Sequence, residues 1–280
     1  MNRPLLCLNS GCTSGEINDF DALDVIKNAG FDGFFNDKMK HSDSKQTEAL
    51  AEKAAKLGLI YQSLHAPFYG MDDLWHDESG EIAEIMEKDL LNSIDDCHNF
   101  DIPIVIMHAI IGMDRCTPTQ LGIDRISKII DYAVKKGVTI GFENTEGEMY
   151  LEKLFENFGE IENVGYTFDS GHEMCYNFCM DLLGKYGKYL VSTHLNDNVG
   201  MTGKSPDFLD DAHLLPFDGK ADWQGIADRL HKCNYNGILT FELNKHSRPN
   251  MHTNDAYIKL SAEEYICEAY NRAVRFAGLL

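Results

Sequence analysis

Six apolar runs in this 280-residue chain end in side chains that bind metals or move protons. They are SLHAPF (His65), VIMHAI (His108), IGFENTEG (Glu143), GYTFDSGH (Asp169 and His172), VSTHLNDN (His194) and ILTFELN (Glu242). Asp211 and His213 follow in DDAHLLPFDG, in the loop after His194. A carboxylate closing a run such as VTIGFE or ILTFE loses hydration that only a cation, a hydrogen bond or an ionic partner can replace. Glu143, Asp169, His194 and Glu242 together form a hard, oxygen-rich donor set suited to Mn²⁺, Mg²⁺ or Co²⁺ and compatible with Zn²⁺. Their matching positions predict a metal site. Asp169 and His172 are three apart and Asp211 and His213 flank Ala212, so each pair can turn toward one ion or one substrate hydroxyl. These residues, with His65 and His108, are candidates for additional metal or substrate contacts, although a single histidine ending an apolar run, such as His108, is more often a hydrogen-bonded core residue than a ligand.

Side chains from such distant segments meet only if parallel strands deliver them to one mouth. Eight strands are expected near 4–9, 31–35, 60–65, 103–109, 138–143, 163–169, 189–195 and 237–242. Amphipathic stretches lie between them, among them FDALDVIKNAG, SKQTEALAEKAAKLG, EIAEIMEKDLLNSIDDCHNF, DRISKIIDYAVKKG and DWQGIADRLHKCN, and SAEEYICEAYNRAVRFAGLL comes last. Gly30, Gly58 and Gly137 stand where a left-handed residue would stop a helix. Eight strand-helix repeats predict an α/β fold, a (β/α)8 TIM barrel, with residues 1–280 as a single domain. No GxGxxG follows the first strand, so no dinucleotide cofactor is expected. The long segments 196–221 and 243–260 would stand above the mouth as covers and specificity elements.

The formal net charge of −20, from 45 acidic and 25 basic residues, is spread along the chain. Such a surface repels polyanions, which disfavours nucleic acid and anionic membranes as partners. No apolar run approaches the roughly 20 residues that span a bilayer, and the start lacks a signal peptide's apolar segment, so a cytoplasmic protein is expected. Eight scattered cysteines without CxxC spacing are read as reduced, mostly buried thiols. Self-association into a homo-oligomer is left open.

The series LHAPF, IMHA, FENTEG, FDSGH, THLNDN, DAHLLP, DW and FEL resembles the xylose-isomerase-like barrel superfamily, which holds sugar isomerases and epimerases, inosose dehydratases and the endonuclease IV class of DNA repair enzymes. In that resemblance Glu143, Asp169, His194 and Glu242 match the positions that bind a divalent metal, and both glutamates match those that move protons in the ketose epimerases. His172 matches a substrate-contacting position, with His65 and His108 on the opposite wall. The resemblance implies a divalent-metal-dependent sugar or sugar-phosphate isomerase or epimerase acting by proton transfer through an enediolate, with Glu143, Glu242 and His172 catalytic. It also implies an alternative, because the chain carries every residue type of the endonuclease IV three-zinc cluster: His65, His108, Glu143, Asp169, His172, His194, Asp211, His213 and Glu242. That reading is a zinc phosphodiesterase acting on abasic DNA, but each DNA phosphate calls for a Lys or Arg that this acidic chain poorly supplies. A non-catalytic binding barrel would have no need of two proton-transfer carboxylates.

One departure stands out: where relatives often show a Gly-acid-Gly turn, this chain has Phe217, Asp218 and Gly219, which is expected to reshape the pocket floor. Lys204 and Lys220 are candidates to meet a sugar phosphate, with exposed surface lysines the plainer reading. Asn144 and Asn196 neighbour expected ligands and are suited to hydrogen-bond them. Asp222 reads as a helix cap before a catalytic group.

Overall fold

The computed structural model describes residues 3–112 and 117–280. Its frame is a ring of parallel strands in sequence order: β1 (Leu6–Asn9), β2 (Gly33–Asp37), β3 (Ile60–His65), β4 (Ile104–His108), β5 (Thr139–Glu143), β6 (Val164–Asp169), β7 (Leu190–His194) and β8 (Leu239–Phe241). β8 pairs with β1, and the seam to β7 is short. There Leu195 N–H donates to Thr240 O at 2.8 Å, Glu242 N–H to Leu195 O at 3.2 Å, and the Thr193 hydroxyl accepts from Thr240 N–H at 3.0 Å. The expected (β/α)8 TIM barrel is the fold observed.

Helices fill the outer layer: α1 (Asp19–Ala29), α2 (Lys45–Leu57), α3 (Met71–His76), α4 (Glu81–Asn99), α5 (Gln120–Lys136), α6 (Glu148–Phe158), α7 (Ser170–Cys175), α8 (Leu182–Tyr186), α9 (Trp223–Lys232) and α10 (Ala262–Ala277). α1, α2 and α5 end at Gly30, Gly58 and Gly137, all at positive φ, with cap N–H groups returned to carbonyls of the last turn. α3, α7 and α8 are too short to carry a 3.6-residue apolar period, which is why the sequence does not announce them. The seven described cysteines are free thiols, and Cys116 lies outside the described residues. No described helix is long and apolar enough to cross a membrane.

Period-two alternation places the chemistry. On β5, Gly141 faces the barrel interior so closely that a Cβ there would lie 2.4 Å from Thr167 Oγ1, and Glu143, two residues on, faces the same way at the mouth. The same step carries Phe35 to Asp37, Ser63 to His65, Ile106 to His108, Thr167 to Asp169, Ser192 to His194, and Thr240 to Glu242. β1 to β7 therefore each end with a polar residue at the carboxyl-end mouth, Asn9 of β1 included, and Glu242 directly follows Phe241, the last residue of β8. The segments 196–221 and 243–260 carry short 3₁₀ turns, Phe208–Asp210 and Asp255–Tyr257, and the antiparallel bridge Asp197–Leu214, and bring Asp211, His213, Asn244 and Arg248 to that mouth.

Candidate metal centre and catalytic cavity

Glu143 is the hub. Its Oε1 lies 2.9 Å from His194 Nδ1 and 3.6 Å from His172 Nδ1, and its Oε2 lies 3.2 Å from His65 Nε2 and 3.5 Å from His108 Nε2. The other carboxylate on His194 Nδ1 is Glu242, at 3.0 Å. Three donor groups result, each with ligand atoms within 4.8 Å of one another: His65, His108 and Glu143; Glu143, Asp169, His194 and Glu242; and His172, Asp211 and His213. All nine residues singled out in the sequence lie at this one mouth.

The histidines are already oriented. Backbone carbonyls only accept, so His65 Nδ1 donates to Ala66 O at 2.8 Å, His172 Nδ1 to Asn144 O at 2.9 Å and His213 Nδ1 to Glu242 O at 3.1 Å. Each ring then turns an Nε2 lone pair toward its donor group, the arrangement that prepares imidazole for a metal. In two of those groups the lone pair meets a carboxylate, which is repulsive unless a cation or a proton stands between them.

The acidities carry the same message. Burial opposes charge on His194, yet Glu143 and Glu242 hold its pKa well above the ordinary value, and Asp169 and Asp211 do the same for His172. Against burial, Asp211 and Glu242 raise His213 to about 9. Burial is outweighed for Glu143, which the surrounding imidazoles draw well below the usual range, and for Glu242, which His194 and His213 draw to about 2. Asp169 goes the other way, lifted to about 6 by burial despite His172 and His213. Protons thus occupy the places where a divalent cation would sit. The group of Glu143, Asp169, His194 and Glu242 sets three carboxylates against one imidazole, a buried charge deficit that a divalent cation fits.

Asparagines hold the donors in place. Asn144 Nδ2 donates to Asp169 O and its Oδ1 accepts Asp169 N–H, at 2.9 and 2.8 Å. Asp169 Oδ1 accepts His172 N–H at 2.6 Å while Oδ2 accepts Asn196 Nδ2 at 2.9 Å. The glycine of FDSGH follows from this contact, since a Cβ at Gly171 would fall 1.9 Å from Asn196 Oδ1.

Other expectations resolve differently. The Phe217–Gly219 turn does not form the pocket floor; it wraps Asp197, whose carboxylate accepts from Phe217 N–H, Ala221 N–H and Trp223 Nε1 at 2.8–2.9 Å. Lys204 and Lys220 are exposed and neither lines the cavity. Asp222 caps α9, accepting from Gly225 N–H at 2.9 Å.

The cavity, about 220 Å³, is bounded by Asn9, Asp37, His65, Glu143, Glu242 and Arg248, among others. A second cavity of about 450 Å³, lined by Tyr69, Tyr176 and Phe208, shares Phe68, His108, His172, Asp211 and Arg248 with it. Asp37 and Arg248 were not singled out in the sequence. Asp37 lies two residues beyond the expected end of its strand, and Arg248 sits on a loop without periodicity.

The family model described as xylose isomerase-like TIM barrel matches residues 23–265. The chain belongs to that family. An uncharacterised protein of Sinorhizobium fredii, y4fM, is 28% identical over 90% of this chain and 91% of its own length. Among solved structures, the xylose isomerase-like barrel superposes on the IolI protein with a bound zinc atom at a TM-score of 0.76, with 20% identity over 98% of each chain. D-psicose 3-epimerase from Clostridium cellulolyticum H10, solved with D-tagatose, superposes at 0.70 with 14% identity, again over 98% of each chain. A fusion of a xylose isomerase-like barrel with 4-hydroxyphenylpyruvate dioxygenase superposes at 0.70 with 17% identity; 91% of this chain is matched and spans 41% of the fusion's length. At these identities the structural likeness speaks for the fold.

Proposed function

We propose that this barrel is a divalent-metal-dependent isomerase or epimerase of a small sugar, working by proton transfer next to a carbonyl. The observation that carries the reading is the four-donor group of Glu143, Asp169, His194 and Glu242, buried except where Glu242 opens to the cavity. A divalent cation held there would supply Lewis acidity, stabilising the negative charge that develops on a carbonyl and its neighbouring hydroxyl oxygen. Glu242 borders the cavity and can take a proton from substrate carbon. Glu143, deeper and fixed by imidazoles, serves more as the anchor of the donor set, with His65 Nε2 at 3.2 Å from its Oε2 as its proton partner toward the cavity. His172 Nε2 faces the cavity, within reach of a substrate oxygen. The matched epimerase solved with a ketose supports this choice of substrate class. Metal-free protein, reloaded with Mn²⁺, Mg²⁺, Co²⁺ or Zn²⁺ and assayed on free and phosphorylated ketoses, tests it. No turnover of any ketose with any of these metals would sink the reading.

One observation favours a second reading: the three donor groups lie at one mouth and two of them share Glu143, which is the layout a multinuclear zinc phosphodiesterase needs. Three zinc ions per chain together with cleavage of abasic DNA would establish it. The acidic lining and the net charge of −20 weigh against a polyanionic substrate.

A further inference from the structure

The donor groups occupy the β3–β8 side of the mouth. The opposite wall, from β1, β2 and the loop after β8, presents Asn9, Gly11, Asp37 and Asn244. Its amides are already engaged: Asn9 exchanges two hydrogen bonds with the Leu243 backbone at 2.9–3.0 Å, and Asn244 Oδ1 accepts from Ser14 Oγ at 2.5 Å and His246 N–H at 3.1 Å. Asp37 differs. Its side chain shares the inward side of β2 with Phe35, whose ring stacks on His194 at 4.5 Å, and the residue is exposed to the cavity. Among the described residues no hydrogen bond or ion pair engages its carboxylate. The next residue, Lys38, does not help, because it is buried on the outer side of the strand with Asp96, at 2.5 Å. Every other carboxylate bordering the cavity is held: Glu143 and Glu242 by His194, Asp211 by His213 and Arg248.

We propose that Asp37 is a specificity-determining residue: its carboxylate receives hydroxyl groups of an unphosphorylated polyhydroxy substrate at the end remote from the donor groups, and it turns phosphate esters away. This rests on the reading of the site as one for small sugars and names which sugars. A carboxylate is an acceptor with lone pairs to spare, and vicinal hydroxyls are the neutral donors that match it. A phosphate carries about two negative charges and no compensating donor at neutral pH, so beside Asp37 it meets like charge in a partly desolvated wall. Asp37, Glu143, Asp169, Asp211 and Glu242 already bring five carboxylates to the mouth, and Arg248, the described cation that lines it, is committed to Asp211. Discrimination then comes from an element that repels the wrong ligand as much as from one that binds the right ligand.

Calorimetric titration of the Mn²⁺-loaded protein with xylitol, ribitol and D-arabinitol, and with ribitol 5-phosphate, reads this without turnover. At least one pentitol is expected to bind, with ribitol 5-phosphate bound at least about tenfold more weakly than ribitol; Asp37→Ala is expected to weaken pentitol binding about tenfold, the size of one hydrogen bond to a charged group. Asp37→Asn, which keeps the shape and removes the charge, is expected to narrow the gap between ribitol and its phosphate. Tighter binding of the phosphate by the wild type, pentitol affinity unchanged in Asp37→Ala, or no pentitol binding at all overturns the proposal. Pentitol binding that depends on Asp37 in a protein that turns over no ketose would remove the isomerase reading and leave this one standing. Ketose turnover with an affinity indifferent to Asp37 would do the reverse.

Discussion

Arg248, on the loop after β8, pairs its guanidinium with the Asp211 carboxylate and donates Nε–H to the Asp211 carbonyl at 2.6 Å. The carboxylate of the third donor group therefore already has a cation, with His213 Nε2 on its other oxygen at 2.9 Å. Among the described residues no arginine or lysine pairs with Glu143, Asp169 or Glu242, so that group must take its positive charge from histidines or a metal. We expect one tightly held divalent ion per chain by elemental analysis after dialysis. Arg248→Ala should raise that number in the presence of Zn²⁺, because it leaves Asp211 uncompensated beside two imidazoles. Three ions in the wild type would contradict this.

Glu242→Gln keeps an oxygen donor but abolishes the base. Metal content should fall little, while turnover of the best ketose drops by about 10²–10⁴-fold, the range of a lost general acid–base group. Turnover near that of the wild type would remove Glu242 from proton transfer.

Protons and metal compete for the same atoms. His213, raised to about 9, and His194 and His172, raised well above ordinary values, must lose protons to bind a cation. Metal affinity measured with a competing chelator should therefore strengthen steadily from pH 6 to pH 9. In the metal-free protein the sign is opposite. A raised histidine contributes stability that is complete below its unfolded value of 6.5 and lost as pH rises toward about 9. Glu242 contributes above its unfolded value of 4.5 and loses that contribution as pH falls toward about 2. The Tm of the metal-free protein should then peak between these limits and decline toward pH 9, and a metal-free Tm that rises toward pH 9 would contradict the site electrostatics.

Gly171→Ala drives a methyl into Asn196 and displaces the amide that holds Asp169 Oδ2. Metal affinity should fall by about 10–100-fold, as for the loss of a group that orients a ligand, with the far-ultraviolet circular dichroism unchanged. Asn196→Ala should reproduce the loss without the steric strain.

Much of this architecture is legible in one dimension. TIGFE and VGYTFD declare a strand, its polar final residue and, through period two, its inward direction. Asp37 shows where such reading stops: FFND carries no mark of how far β2 extends, and only the register that sets Asp37 opposite His65 makes it the strand's last residue. The Phe217–Gly219 turn shows the same limit, since nothing local reveals that Asp197, 20 residues earlier, is what it encloses.

The sequence alone determined which side chains stand at the strand ends other than that of β2, because alternation and the cost of an unpaired polar group in an apolar run are local matters. Only the tertiary structure decided that Glu143 is shared by two donor groups, that Arg248 neutralises Asp211 and that Asp37 is left unpaired. Those depend on ring closure and on loops that cross the mouth, which bring residues far apart in the chain into one small, poorly hydrated space where each charge must be matched.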